Sequence, residues 1–266
     1  MQGIEIDQAY PDLFSHSDAN LLRSLEGAPV VFAARQRVVR AQEPVFQSVY
    51  LRQGFAGRYR ADRLGRRQLL ALQVAGDFVD LPSFVLGHLD HDVETLSAVS
   101  IRGLPHATIA DLRLSAPALY DKLWRISLID AAIHRYWVFR VGRLVGRARV
   151  ANFFAEIFTR LYARGLCGLD GFELPINQTE LGEACGMTAV HANRMIAELR
   201  AEGICSFTSA GVRIADLPGL LRTGQFDWDF LFLPEEISVT LAGLAGRLPR
   251  RPDTGEAAWV GEKADD

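Results

Sequence analysis

The sequence predicts an α+β protein: an antiparallel β-domain, then one long helix, then a C-terminal winged helix-turn-helix. Three observations carry this reading. Short β-rich runs alternate with glycine-bearing turns from Val30 to about Ile109. A stretch of helix formers with almost no breakers follows, from Ser115 to Val145. Further on, two helical segments flank a turn at Gly186 and lead into two short strands. The chain has 266 residues and 49% hydrophobic composition, which suits two domains with separate cores.

Residues 11–26 predict one or two short helices, the second capped by Ser15 or Ser17. The β-rich runs are VVF, RVV, VFQSVYL, GRYRA, QLLAL, TLSAVSI and ATIA. Their spacing of roughly 8–12 residues predicts a sandwich or barrel. The Asp62–Gly65 loop fits a hairpin connection. Ser115, with Pro117 just inside, marks the start of the long helix. Its apolar residues cover nearly the whole circumference, from Leu119, Leu123 and Ile126 round to Leu128, Ala132 and Phe139. Such a helix needs burial on two sides. One side can cover the β-domain and the other can meet a second copy, which predicts a C2 homodimer. Gly142 and Gly146 interrupt the pattern and place a hinge near Val145; another helix is expected over Arg147–Ala163. The expected organisation is a sensor domain at 1–145 with a dimerisation helix at about 116–145. A winged helix-turn-helix follows at 146–234 and a mobile tail at 235–266.

The most informative stretch is LPINQTELGEACGMTAVHANRMIAELRAEGICSF, Leu174–Phe207. Asn177 or Gln178 can start a helix with Glu180 in its first turn. Gly186 supplies the left-handed turn, because a Cβ makes that conformation costly. Thr188 has the chemistry of an N-cap for a second helix over Ala189–Glu202. Ala192, Met195, Ile196 and Leu199 are its inward face, and Gly203 closes it. ICSF and VRI then flank Thr208–Gly211 as a wing. The candidate DNA-binding residues are Gln178, Thr179, Thr188, Ala189, Val190, His191, Asn193 and Arg194. Arg194 can grip guanine bidentately, Asn193 can read adenine, and Ala189 and Val190 can touch a thymine methyl. The Thr188 hydroxyl and the amides after it can hold a phosphate.

Charge does not reinforce this reading. The whole chain carries −3, and between Gly171 and Pro234 four arginines stand against eight carboxylates, a net of −4. A DNA-binding segment is expected to be basic, so any DNA contact must be focused on a few groups. This imbalance also motivates an alternative: a ligand-sensing module whose helix-turn-helix mediates protein contacts. Catalysis is not expected, since no G-x-S-x-G, P-loop or H-E-x-x-H motif occurs. Neither a secretory signal nor an apolar run near 18 residues is visible, so a cytoplasmic protein without membrane contact is expected. Cys167, Cys185 and Cys205 are sparse and never at C-x-x-C spacing, which provides no visible zinc or iron–sulfur ligand set.

The order of parts resembles the Crp/Fnr family of bacterial regulators over about residues 12–233. The strongest motif is QTELGEACGMTAVHANRMIAELRAEGI; AGDFVDLPSFVLG is similar to the family's segment around its ligand pocket, and FDWDFLFLP to a common family ending. The resemblance implies a cyclic-nucleotide-binding-like (cupin-like) antiparallel β-roll and a long dimer helix. It also implies binding to pseudo-palindromic, double-stranded promoter DNA and contact with RNA polymerase. Two departures bear on control. The cyclic-AMP-binding members carry a glutamate where Leu81 follows Asp80, and an Arg-Ser pair where this chain reads Glu94-Thr95-Leu96-Ser97. Without that arginine the cyclic phosphate has no bidentate partner, so cyclic AMP is not expected. The oxygen-sensing members use an N-terminal cysteine cluster, and the first cysteine here is Cys167, so an iron–sulfur cluster is not expected either. The effector stays unnamed.

Four further features have two readings each. His88, Asp90, His91 and Asp92 suit a metal site or, better, a polar hairpin tip. His134 suits a pH-sensitive or haem-binding residue or, better, a packed or interfacial one. Cys185 suits an oxidation switch or, better, an inert buried hydrophobe. Arg147 and Arg149, within the one dense basic stretch (Arg135, Arg140, Arg143, Arg147, Arg149), suit DNA phosphate and acidic partners at the hinge equally.

Overall fold

The computed structural model describes residues 3–246. It opens with α1 (Ile6–Ala9) and α2 (His16–Leu25). Ser15 caps α2: its hydroxyl accepts from the Asp18 amide at 3.2 Å, and the Asp18 carboxylate takes the Ser15 amide at 2.8 Å. Seven strands follow, β1 (Val30–Phe32), β2 (Arg37–Val39), β3 (Gln47–Gln53), β4 (Phe55–Ala61), β5 (Arg67–Val74), β6 (Asp92–Thr95) and β7 (Val99–Pro105), with a short α3 (Ser83–Leu86) before β6. They form two antiparallel sheets, ordered β1-β7-β3 and β2-β6-β4-β5. Side chains alternate across a strand, so Val49, Leu51, Val99 and Ile101 of one sheet meet Val39, Ala56 and Val93 of the other in an apolar interior. The β4–β5 hairpin turns at Asp62–Gly65: Asp62 Oδ1 accepts the amides of Leu64 and Arg66 at 2.8 and 2.9 Å, and Gly65 adopts φ +77°.

The run ATIA, expected as a strand, lies instead in α4 (His106–Ser115), with Ile109 and Leu112 packed against the outer face of the first sheet beside Tyr50 and Leu104. Four apolar residues have no resolvable period, so tertiary packing decided. Consequently Ser115 ends α4 and does not start the next helix. α5 (Pro117–Arg143) has Ala116 at its N-cap with no side-chain cap, and Pro117 supplies the first turn. It runs through Gly142 and ends at Arg143. α6 (Arg147–Ala163) has the bounds its 3–4 spacing predicted and is entered through Gly146 at φ +50°.

The remaining elements are β8 (Gly171–Phe172), α7 (Gln178–Ala184), α8 (Ala189–Ala201), β9 (Cys205–Thr208), β10 (Gly211–Ile214), α9 (Leu217–Thr223), a 3-10 turn at Asp229–Leu231 and α10 (Glu235–Leu244). Residues expected as the start of a mobile tail therefore form α10. Its Leu241, and Ala245 just past it, join the core through an i, i+4 apolar face. The rest of the expected tail, 247–266, lies outside the described residues.

The largest apolar cluster crosses the expected boundary at residue 145. It joins Tyr59, Leu69 and Val74 of the second sheet to Trp137 of α5, Phe153, Phe154 and Phe158 of α6, and Leu181 and Leu199 of the helix-turn-helix. Buried charge runs alongside. Arg140 and Arg160 both bind Glu156, and Arg160 and Arg164 both bind Asp77 in the turn after β5. Arg164 also donates to Tyr10 at 2.9 Å. Buried charges persist when every member is paired. No helix among the described residues is long and apolar enough to cross a membrane.

Candidate nucleic-acid interface

The helix-turn-helix is built from local chemistry. Asn177 Oδ1 accepts the Glu180 amide and Glu180 Oε2 accepts the Asn177 amide, both at 2.9 Å, a capping box that starts α7. Gly186 turns the chain at φ +60°. The Met187 amide then bonds back to the Gly182 carbonyl at 2.9 Å. A Cβ on Gly182 would stand 2.7 Å from the Met187 carbonyl oxygen, so this position needs glycine for close approach although its backbone is ordinary helix. Thr188 Oγ1 accepts the His191 amide at 3.2 Å and starts α8. Ala192, Met195 and Leu199 are buried, and Ile196 is half-buried behind them.

The opposite face presents the expected residues. Gln178, Thr179, Thr188, Val190 and Arg194 are exposed, and Ala189, His191 and Asn193 are half-exposed. Val190 is 81% exposed, an apolar side chain held in water at the start of the helix. Two pairs form among these groups. Asn193 Nδ2 donates to Gln178 Oε1 at 2.7 Å across the two helices, and Arg194 Nη2 meets His191 Nδ1 at 3.0 Å. Thr179 enters neither pair. The wing is a three-stranded sheet, ordered β8-β10-β9, and its tip exposes Thr208, Ser209 and Ala210. Sequence reading missed β8, which at two residues gives no pattern, and overlooked the tip hydroxyls and exposed Arg213 on β10. The turn residues Thr208–Gly211 were the available signal.

The acidic surplus has a structural address. Glu180 is buried, taken by Arg35 and by the Tyr59 hydroxyl at 2.9 Å. Burial pushes its carboxyl up, but the Arg35 guanidinium, the Asn177 amide and Tyr59 outweigh that and hold it below the usual range. Glu183 accepts the Leu69 amide at 2.8 Å, and its carbonyl accepts Gln68 Nε2 at 2.8 Å. Glu202 pairs with Arg147, and Asp216 caps α9 through the Gly219 amide at 2.9 Å. Four of the eight carboxylates are thus committed to folding or to the β-roll.

The same contacts bear on several side readings. Arg147 is taken by Glu202, and Arg149 donates to the carbonyls of Leu144 and Gly186. Arg147 thus links the start of α6 to the end of α8, and Arg149 links the α5–α6 junction to the turn of the helix-turn-helix. Arg140, which reads as part of a basic stretch, is fully buried. Cys185 is also fully buried, and burial pushes its thiol up to about 12, far from a reactive thiolate. His134 packs over the β-roll: Nδ1 meets the Asp130 carbonyl at 2.9 Å and Nε2 lies 3.3 Å from Arg58 Nη1. At the H-L-D-H-D loop, His91 pairs with Asp90 while Asp92 accepts the Ala41 amide, and no group of three ligands forms among the described residues.

The β-roll interior joins an apolar cluster to buried polar groups, among them Arg58, Asp80 and Thr95. Glu94 is held by Arg37 and Arg67, and the Thr95 hydroxyl is committed to the Ala33 carbonyl at 2.7 Å. Leu81 belongs to the cluster under α4 and α5, outside that interior.

Comparison with known proteins agrees with this architecture. Residues 148–223 match the model of the Crp-like helix-turn-helix domain. The chain is 24% identical to the transcriptional activator protein FnrL of Cereibacter sphaeroides over 62% of this chain and 67% of that protein. It is 23% identical to the nitrogen fixation regulation protein FixK of Bradyrhizobium diazoefficiens over 76% and 85%. The structure of FixK2 from Bradyrhizobium japonicum superposes with a TM-score of 0.66 at 20% identity, over 75% of this chain and 96% of that one, and so shares the fold. The chain thus carries a Crp-like helix-turn-helix domain behind a β-roll and a long helix, and it shares the fold of Crp/Fnr-type regulators.

Proposed function

We propose that the protein binds pseudo-palindromic promoter DNA as a homodimer, reading bases with the N-terminal turn of α8. The observation that carries this is the clustering of Gln178, Thr188, Val190, His191, Asn193 and Arg194 on one exposed face. Arg194 is the base-reading cation and Asn193, steadied by Gln178, the amide reader. Ala189 and Val190 supply apolar contact to thymine methyls. Thr179, Thr188 and the wing hydroxyls of Thr208 and Ser209 suit phosphate oxygens. The α5 face bearing Trp124, Leu128 and Val138 is the surface for a second copy. Two recognition helices then address half-sites about one DNA turn apart.

FnrL carries the name of a transcriptional activator, and we infer RNA polymerase as a partner and the cytoplasm as the working compartment. The missing arginine in the stretch Glu94-Thr95-Leu96-Ser97 supports control without cyclic AMP. The acidic count once favoured a protein-binding helix-turn-helix, but Glu180, Glu183, Glu202 and Asp216 are engaged away from the exposed face of α8.

A gel-shift series tests the reading. Arg194→Ala is expected to weaken specific binding by roughly 10- to 100-fold, the worth of one bidentate base contact, and to relax preference at one base pair. Equal affinity and unchanged preference would remove Arg194 from base readout. Affinity independent of salt would remove DNA altogether, since phosphate neutralisation imposes a steep negative slope.

A further inference from the structure

A cleft of about 710 Å³ lies on the helix-covered side of the first sheet, between β3, β7, the N-terminal helices and the end of α6. It is separate from the β-roll interior: Arg102 of its wall alternates along β7 with Ile101, which packs inside. Four arginines line it, Arg23, Arg52, Arg102 and Arg164. Their carboxylate partners are fewer. Glu5 is shared by Arg23 and Arg52, Glu26 takes Arg102, and Asp77 is shared by Arg164 and Arg160. The four guanidiniums of the wall therefore meet three carboxylates, and one of these, Asp77, is shared with Arg160, which also binds Glu156. Arg52 and Arg102 each also keep a buried Nε–H with no acceptor among the described residues. Uncompensated charge in a half-buried wall is costly, and a cleft of this size matches the volume of small-molecule sites.

We propose that this cleft binds a phosphate-bearing small molecule. A phosphate monoester brings close to two negative charges and three acceptor oxygens, which answers the surplus of guanidinium donors. Arginine's planar fork suits those oxygens bidentately. Glu5 keeps Arg23 and Arg52 side by side, and Gln8 adds a neutral amide to the wall. The ligand would bridge the β-roll, the N-terminal helices and, through Arg164 and Asp77, the buried charge line into α6.

The test is calorimetric titration of the full chain with pyrophosphate, with citrate as a non-phosphate polyanion. Wild type and Arg194→Ala should saturate at one pyrophosphate per chain. Arg102→Gln should weaken binding about 10-fold or more, the worth of a charged hydrogen bond. Arg23→Gln, on the exposed side of α2 where folding is not at risk, should weaken it several-fold. Lack of saturation, equal affinity in wild type and the Arg23 and Arg102 variants, loss in Arg194→Ala, or binding of citrate but not pyrophosphate would each overturn the proposal.

Discussion

Arg35, in the turn between β1 and β2, donates Nη2–H to Glu180 Oε2 in α7 at 3.1 Å, and its Nη1 bonds the other carboxylate oxygen. The pair bridges 145 positions of sequence and ties the β-roll to the first helix of the helix-turn-helix. Tyr59 donates to the same carboxylate, and Gln68 and Leu69 of the neighbouring strand engage Glu183 one turn further. The β-roll thus grips α7 through two carboxylates, and the β4–β5 hairpin contacts the helix-turn-helix directly.

Glu180→Ala should therefore cost about 2–4 kcal/mol, because it removes half of a capping box and strands the buried Tyr59 hydroxyl. Arg35→Ala should cost less, since the arginine is nearly half exposed and screened by solvent. A double-mutant cycle read by urea unfolding should give a coupling on the order of 1 kcal/mol. Zero coupling would mean the bidentate pair contributes nothing to holding the two parts together. The pH dependence has a definite sign. The folded carboxyl is held below its ordinary value of 4.5, so its stabilisation is present above that pH and lost as pH falls through the folded value. Glu180→Gln should flatten that acid limb.

Asp80 should give the opposite slope. It is fully buried and accepts the Val49 amide, and its second oxygen has no partner among the described residues. Burial raises its carboxyl from 3.8 to about 7 against the pull of the Val49 amide and Arg58. A raised folded value means that Asp80's own contribution to stability is fullest below pH 4 and declines as pH rises towards 7. Asp80→Asn should abolish that decline and gain on wild type above pH 7, by about 4 kcal/mol at most. Parallel stability–pH curves for the two proteins would rule the burial account out.

The Arg140–Glu156 pair should be far less forgiving than any surface pair. Both side chains are fully buried; Glu156 also accepts Trp137 Nε1 and Arg160 Nη1 at 3.2 Å each, and Arg140 Nε donates to Asn152 at 2.7 Å. Glu156→Gln keeps the shape but leaves Arg140 without its charge partner, a loss of about 3–5 kcal/mol. At this chain size that corresponds to a fall in Tm of roughly 10 °C. A melting temperature within a degree of wild type would contradict a structural role for the charge line.

What the sequence revealed was what local chemistry decides. The Asn177 and Thr188 caps, the Gly186 turn and the bounds of α6 each depend on residues within a few positions, and all were readable. Long-range pairing was not. Arg140 reads as a surface charge until Glu156 is known to lie one helix away, and Arg35 carries no signal of Glu180. Short elements failed for a different reason: ATIA and β8 are too brief to show a period. Within the candidate site, residue identities were legible from the cap outward, whereas the Gln178–Asn193 pairing and the close approach at Gly182 required the packed helices.

The proposed dimer seam admits a clean test because its residues do little within one chain. Trp124, Leu128 and Val138 are exposed, and with Ala131 and Arg135 they follow a 4–3 spacing along α5, on the side away from Leu119, Leu123, Ile126, Ile133 and Trp137. A 4–3 apolar repeat is the pattern that packs one helix along another. Leu128 is 63% exposed and Val138 73%, so Leu128→Arg with Val138→Glu should change the stability of a single chain by only about 0.5 kcal/mol per site. In the dimer the same changes place four charges in an apolar seam. Sedimentation analysis should show a monomer with an unchanged circular-dichroism spectrum, and affinity for a two-half-site DNA should fall by about 100-fold or more as the linkage between half-sites is lost. A variant that still sediments as a dimer would place the interface elsewhere on the molecule and leave the α5 stripe without a partner.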